Sequence, residues 1–128
     1  MTEGTFEAYR RAESLLAANR PLDALRWLEP VLESNPDLPS VHLLAARCYL
    51  HSAQFTRAER SFRRVLELDP TDHYARFALG RTLQRQSRLS EAITQLRMAA
   101  AMNPKPDYLE AVNEVRARMM LREKDTGT

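Results

Sequence analysis

A repeat with a period of 34 residues constrains the fold of this chain more than any other feature. Prolines recur at this interval, at Pro36, Pro70 and Pro104. Small or apolar residues recur in further columns: Ala24, Ala58 and Ala92; Leu28, Phe62 and Leu96; Ala12, Ala46 and Gly80; Leu15, Tyr49 and Leu83. The columns align without insertion or deletion, so the sequence divides into three units, residues 5–38, 39–72 and 73–106. Such a period is typical of a repeat array in which each unit is one supersecondary element.

Each unit is predicted to contain two helices. In the second unit, apolar side chains at Val41, Leu44, Ala45 and Cys48 follow the 3.6-residue period of a helix. Proline ends the second helix of each unit, because the residue before a proline is disfavoured in the α region. The chain has only three glycines, so few turns with positive φ are expected.

A seventh helix is predicted over residues 107–124, with Asp107 as its N-cap. Its apolar stripe contains Tyr108, Val112, Val115 and Met119, which suits a helix that covers the last repeat. Residues 1–4 and 125–128 are expected to be flexible termini.

Composition excludes several classes of protein. The net charge is only +2, and a single cysteine, Cys48, allows neither a disulfide framework nor a cysteine-rich zinc site. The three histidines lack metal-ligand spacing, and no glycine-rich phosphate loop is present. We therefore predict a chain that is not an enzyme and that binds no cofactor or metal, with Cys48 as a buried apolar residue. No long apolar stretch or signal sequence is found, so a cytoplasmic protein without a membrane segment is expected.

The repeat resembles the tetratricopeptide repeat, whose signature is W-x2-L-G-x2-Y, then A-x3-F, then P. The third unit matches at Leu79, Gly80, Ala92, Leu96 and Pro104, and the second at Tyr49, Ala58, Phe62 and Pro70. The tryptophan column of the signature instead holds Ala8, His42 and Arg76. In the first unit, Arg11 stands in the column that Leu79 occupies in the third. Both columns are interpreted as degenerate. The resemblance implies an all-α, right-handed α-solenoid of three helix–turn–helix repeats with a seventh capping helix.

The resemblance also implies a protein–protein interaction adaptor or scaffold that binds a peptide in a concave groove lined by the first helix of each unit. The groove residues carried over from the family are Phe6, Tyr9, Glu13, Leu43, Arg47, His51, Tyr74, Phe77, Arg81 and Arg85. Aromatic residues and arginine are enriched at binding hot spots, so the ligand is expected to carry apolar and acidic residues. An alternative is that these rings pack the array or contact the capping helix.

Partner identity is constrained by three further patterns. Chaperone-binding members of the family hold a C-terminal carboxylate with Lys and Asn residues and an Arg, but the residues at those positions here are Tyr9, Glu13, Leu44, Tyr74 and Ala78. This substitution predicts that chaperone tails are not bound through that clamp. A patch at Arg57, Arg60, Arg63 and Arg64 suggests a nucleic-acid accessory protein as one alternative, although a solvated face is the favoured interpretation. Homo-oligomer formation through Tyr108, Met119 and Met120 is the other alternative.

Overall fold

The computed structural model describes residues 1–126 and contains seven α-helices and no strand within that range. The helices are α1 (Glu3–Ala17), α2 (Pro21–Ser34), α3 (Pro39–His51), α4 (Phe55–Leu68), α5 (His73–Arg85), α6 (Leu89–Met102) and α7 (Pro106–Thr126). The predicted all-α class, with two helices in each 34-residue unit and a seventh after them, is confirmed.

Both ends of the chain are more helical than the sequence predicted. Helix α1 already begins at Glu3, because the Thr2 hydroxyl accepts a 3.2 Å hydrogen bond from the Thr5 N–H and caps the first turn. Helix α7 begins at Pro106, so Asp107 lies within the first turn rather than at the N-cap. The same helix continues through Thr126. The last two positions of the predicted flexible C-terminus, 127–128, lie outside the described residues.

The turn inside each repeat contains one residue with a positive φ, which corrects the expectation drawn from the scarcity of glycine. These residues are Asn19 (φ 61°), Ala53 (φ 59°) and Ser87 (φ 60°), and they are again 34 positions apart. The N–H of the following residue bonds back to a carbonyl of the preceding helix, at 2.8 Å for Arg20 to Leu15 and 3.0 Å for Arg88 to Leu83. This left-handed C-terminal motif closes the helix without glycine. The 34-residue period is thus present in the backbone as well as in the side chains.

The chain forms two compact units, Met1–Asp69 (unit 1) and Pro70–Thr128 (unit 2). Unit 1 contains α1 to α4, and its core joins small and branched side chains of the first three helices. The buried members of this cluster are Ala12, Leu16, Ala24, Leu28, Val31, Val41, Leu44, Ala45 and Cys48. Unit 2 contains α5 to α7, and its core includes the fully buried Leu79, Leu83, Leu96 and Val115. Each unit therefore has its own apolar core.

Cys48 is fully buried in the unit 1 core, as predicted. Burial raises the pKa of its thiol to about 11, although the nearby Arg47 charge acts in the opposite direction. Because the thiolate is the reactive form, we expect the native protein to resist a disulfide reagent at pH 8 and to react rapidly once urea unfolds it. Complete labelling of the native protein at the rate seen in urea would contradict this expectation.

Candidate functional site

The predicted groove residues of unit 1 lie on α1 and α3. Phe6, Tyr9 and Glu13 share one face of α1 because their spacing is i, i+3, i+7. Glu13, Arg47 and His51 line a single open pocket of about 590 Å³. The remaining lining residues of that pocket are Arg10, Ser14, Leu16 and Ala17. We call the surface formed by Tyr9, Glu13, Arg47 and His51 the α1–α3 face.

The α1–α3 face carries two opposite charges, the carboxylate of Glu13 and the guanidinium of Arg47. The pKa of the Tyr9 phenol is raised mainly by burial and then by Glu13, and the Arg47 charge opposes both. Arg47 therefore lies close enough to Tyr9 to affect its ionisation. Among the described residues no carboxylate forms an ion pair with Arg47, so its guanidinium can bind an external acidic group.

Two apolar residues of the predicted groove in unit 1 differ in accessibility. The Phe6 ring is 52% exposed, and the Arg10 guanidinium lies 5.9 Å from its centroid. Leu43 is half-buried on α3. Phe6 thus offers an apolar surface on the same face of α1 as Tyr9.

In unit 2, the predicted groove residues Phe77 and Arg81 contact α7. The Phe77 ring stacks on Tyr108 with a centroid separation of 4.5 Å. Arg81 forms a 2.7 Å ion pair with Glu114 and so lowers the pKa of that carboxyl. The structure therefore contains the alternative stated above for the groove rings: the Phe77 ring contacts the last helix. Arg81 contacts the same helix. Tyr74 and Arg85 are exposed on α5.

Two of the four arginines in the α4 patch pair with nearby carboxylates. Arg63 pairs with Glu59 at 3.1 Å, and Arg64 pairs with both Asp37, at 2.7 Å, and Glu67, at 3.1 Å. The Arg57 guanidinium donates a 2.8 Å hydrogen bond to the Gln54 side chain. This local pairing weakens the nucleic-acid interpretation, because a phosphate-binding surface needs uncompensated cations.

Metal-ligand clusters and membrane-spanning helices are both absent from residues 1–126. No group of three or more His, Cys, Asp or Glu side chains is placed to hold a metal ion there. Within the same residues, no helix has the length and apolar character needed to cross a membrane.

A second exposed cluster in unit 1 was missed at the level of sequence. The Trp27 ring of α2 lies under the Arg11 guanidinium, 5.0 Å from its centroid. From the sequence, Arg11 is interpreted as a degenerate repeat position. The available signal is its column, since the residues 34 and 68 positions later, Ala45 and Leu79, are both apolar.

Comparison with solved structures places the fold among tetratricopeptide-repeat domains. The TPR domain of Arabidopsis OM64 has a TM-score of 0.85 and 16% identity, over 90% of this chain and 96% of that one. The first TPR of Spaghetti (RPAP3), bound to HSP90 peptide SRMEEVD, has a TM-score of 0.87 and 12% identity over 94% and 96% of the two chains. The Sgt2 TPR domain from Aspergillus fumigatus has a TM-score of 0.85 and 14% identity over 97% and 83%.

Sequence comparison gives a curated relative and a family. Protein O-mannosyl-transferase F38B6.6 of Caenorhabditis elegans is 34% identical over 74 residues, which cover 58% of this chain and 11% of that protein. This chain thus spans about a tenth of the length of that relative. The family model described as anaphase-promoting complex, cyclosome, subunit 3 matches residues 19–99, more than half of the chain. The chain therefore belongs to this family of tetratricopeptide-repeat proteins.

Proposed function

We propose that this chain is a non-catalytic protein–protein interaction adaptor that binds a segment of a partner protein on the α1–α3 face. Its family and fold are typical of interaction modules. The proposal for the site depends mainly on one observation: Arg47 lies at an open pocket with Glu13 and His51 and lacks a carboxylate partner among the described residues.

The chemistry of this face defines the ligand. Arg47 would bind a carboxylate of the partner by charge-assisted hydrogen bonds, which are about twice as strong as neutral ones. The exposed Phe6 ring would contact an apolar side chain of the same segment. A short segment bound by one such pair is expected to have a Kd of about 1 μM to 1 mM.

The proposed site lies within unit 1 and does not include the predicted groove residues of α5. Tyr74 is 39% exposed, so its ring remains accessible to a ligand. Phe77 and Arg81 contact α7, and a ligand would have to displace Tyr108 or Glu114 to reach them.

Chaperone tails need a direct test. Two neighbours of this fold were solved with HSP90 and HSP70 peptides, at 12% and 13% identity, so the comparisons do not support the exclusion of such tails. Two of the five clamp positions here, Leu44 and Ala78, are buried and apolar and cannot donate a hydrogen bond. We therefore expect the peptide SRMEEVD to bind weakly, and titration calorimetry would measure its Kd.

The proposal is tested with three baits exposed to native cell extract: the wild type, Arg47→Glu, and Arg57→Glu as a control with the same charge change. Arg57 is exposed on α4 and bonds only to Gln54 among the partners described, so its substitution leaves the α1–α3 face intact. We expect the wild type and the control to retain the same partners. The affinity of these partners for Arg47→Glu should be lower by about tenfold or more, which corresponds to about 1.4 kcal/mol of binding free energy.

Circular dichroism would establish that all three baits are folded. Identical partner lists from all three would contradict the proposed site. Equal losses on both variants would point to overall charge rather than to the α1–α3 face.

A further inference from the structure

Three helices of the structure bury the same four-residue face, with spacing i, i+3, i+4, i+7. On α3 the face is Val41, Leu44, Ala45 and Cys48; on α5 it is Ala75, Ala78, Leu79 and Thr82; on α7 it is Tyr108, Ala111, Val112 and Val115. On α3 this face belongs to the unit 1 core that includes α2. The spacing keeps all four side chains on one side of a helix, so we call it the packing face.

On helix α1 the residues that correspond to the packing face are polar and exposed. The residues 34 positions before the α3 set are Glu7, Arg10, Arg11 and Ser14, and all four are exposed. An apolar helix packing there as α3 packs on α2 would remove the charges of Glu7, Arg10 and Arg11 from water and offer them no opposite charge, at a cost of several kcal/mol per ion. This surface of unit 1 therefore disfavours stacking of another apolar helix.

The exposed residues Arg10, Arg11 and Ser14 of α1 lie beside the exposed indole ring of Trp27. Arg10, Arg11, Ser14, Leu15 and Trp27 line one open pocket of about 400 Å³, and Trp27 is 43% exposed. The Arg11 guanidinium lies 5.0 Å from the centroid of the Trp27 ring. We call these five residues the end face.

The charges of the end face favour an anionic ligand. No carboxylate among the described residues pairs with Arg11, and the ion pair of Arg10 with Glu13 is long, at 4.0 Å. Trp27 and Leu15 supply the apolar part of the pocket. Tryptophan and arginine are two of the residues enriched at binding hot spots, and here the Arg11 cation lies over the Trp27 ring.

We propose that the end face docks a short acidic segment of a partner protein, with a carboxylate on Arg11 and an apolar side chain against the Trp27 ring. This site is separate from the α1–α3 face, since only Arg10 and Ser14 line both pockets. It would give one adaptor two adjacent docking surfaces on unit 1.

The test uses Trp27, the only tryptophan of the chain, as the reporter. Its fluorescence is followed while the peptide acetyl-Glu-Glu-Leu-Phe-amide is added, and acetyl-Gln-Gln-Leu-Phe-amide serves as the neutral control. We expect a saturable change with half-saturation below about 1 mM for the acidic peptide, and binding at least about fivefold weaker for the neutral one.

Three variants locate the site. Arg11→Gln is expected to raise the half-saturation concentration of the acidic peptide by about fivefold or more. Arg26→Gln is the matched control, because Arg26 neighbours Trp27 in sequence but lines another pocket. Arg47→Gln should leave the titration unchanged, so that failure of this site and failure of the α1–α3 face are distinguishable.

Several outcomes would overturn the proposal: no saturable change, equal binding of both peptides, or equal effects of Arg11→Gln and Arg26→Gln. A fluorescence change that follows the concentration of the protein itself, without peptide, would assign the end face to a second copy instead. The comparison of the two peptides uses the wild type, so the test does not depend on the folding of any variant.

Discussion

Replacement of Tyr108 by alanine is expected to destabilise unit 2 by about 3–5 kcal/mol, the usual cost of removing a buried aromatic side chain. Tyr108 is 3% exposed and stacks on Phe77. The Nδ1 atom of His73 lies 2.8 Å from its hydroxyl oxygen, and the Asn103 amide lies 3.2 Å from Nε2 of the same ring. If the amide donates to Nε2, neutral His73 carries its proton on Nδ1 and donates it to the Tyr108 oxygen. The variant would lose both the ring stack and this hydrogen bond.

The matched control is Tyr108→Phe, which keeps the stack and removes only the hydroxyl. Its expected cost is about 0.5–1.5 kcal/mol, the net value of one hydrogen bond. Urea unfolding measures both variants, and trypsin cleavage at Arg116 and Arg118 reports whether α7 has detached. Equal stabilities of Tyr108→Ala and the wild type would show that α7 is not held by this ring.

Replacement of Gly80 by alanine is expected to lower the free energy of unfolding by up to about 2 kcal/mol. A Cβ at Gly80 would lie 2.7 Å from both Cγ and Cδ2 of Leu96, a fully buried residue of α6. Rotation of one methyl group cannot relieve the contact with Cγ, so α5 and α6 must separate slightly. Overpacking of this kind costs about 1–3 kcal/mol. The higher helix propensity of alanine, worth about 1 kcal/mol, recovers only part of that cost.

Gly4→Ala is the control for Gly80→Ala. Gly4 lies in the first turn of α1, and a Cβ there would meet no atom within 4 Å. The control should be neutral or slightly stabilising in the same urea titration. A stabilised Gly80→Ala variant would mean that α5 and α6 are packed less closely than the structure indicates.

Much of the fold was predictable because small and apolar residues recur at the same positions in all three repeats. Ala12, Ala46 and Gly80 occupy one column, and the limited space there leaves room for only the smallest side chains. The ends of the chain were predicted less well. Caps such as Thr2 depend on a single hydroxyl, which no periodicity reveals.

The candidate site was predictable only where the face of a helix is free. Tyr9, Glu13 and Arg47 are groove positions implied by the family resemblance, and in the structure Glu13 and Arg47 line one pocket and both act on the ionisation of Tyr9. Phe77 and Arg81 are groove positions on the same basis, yet they contact α7, and no pattern in the sequence indicates which face of a final helix packs where. The position of the buried face on α7 could not be predicted by extending the repeat. The packing face of α7 lies 33 positions after that of α5, which departs from the 34-residue period by one residue.

The α1–α3 face is tested most directly by amide chemical-shift mapping of the labelled protein with a partner segment recovered through the Arg47 comparison. At 14.7 kDa the chain is suited to this measurement. We predict the largest shifts at Tyr9, Glu13, Arg47 and His51, and loss of these shifts in Arg47→Glu. Shifts confined to α4 or α6, with the amides of α1 and α3 unchanged, would contradict the proposed docking surface.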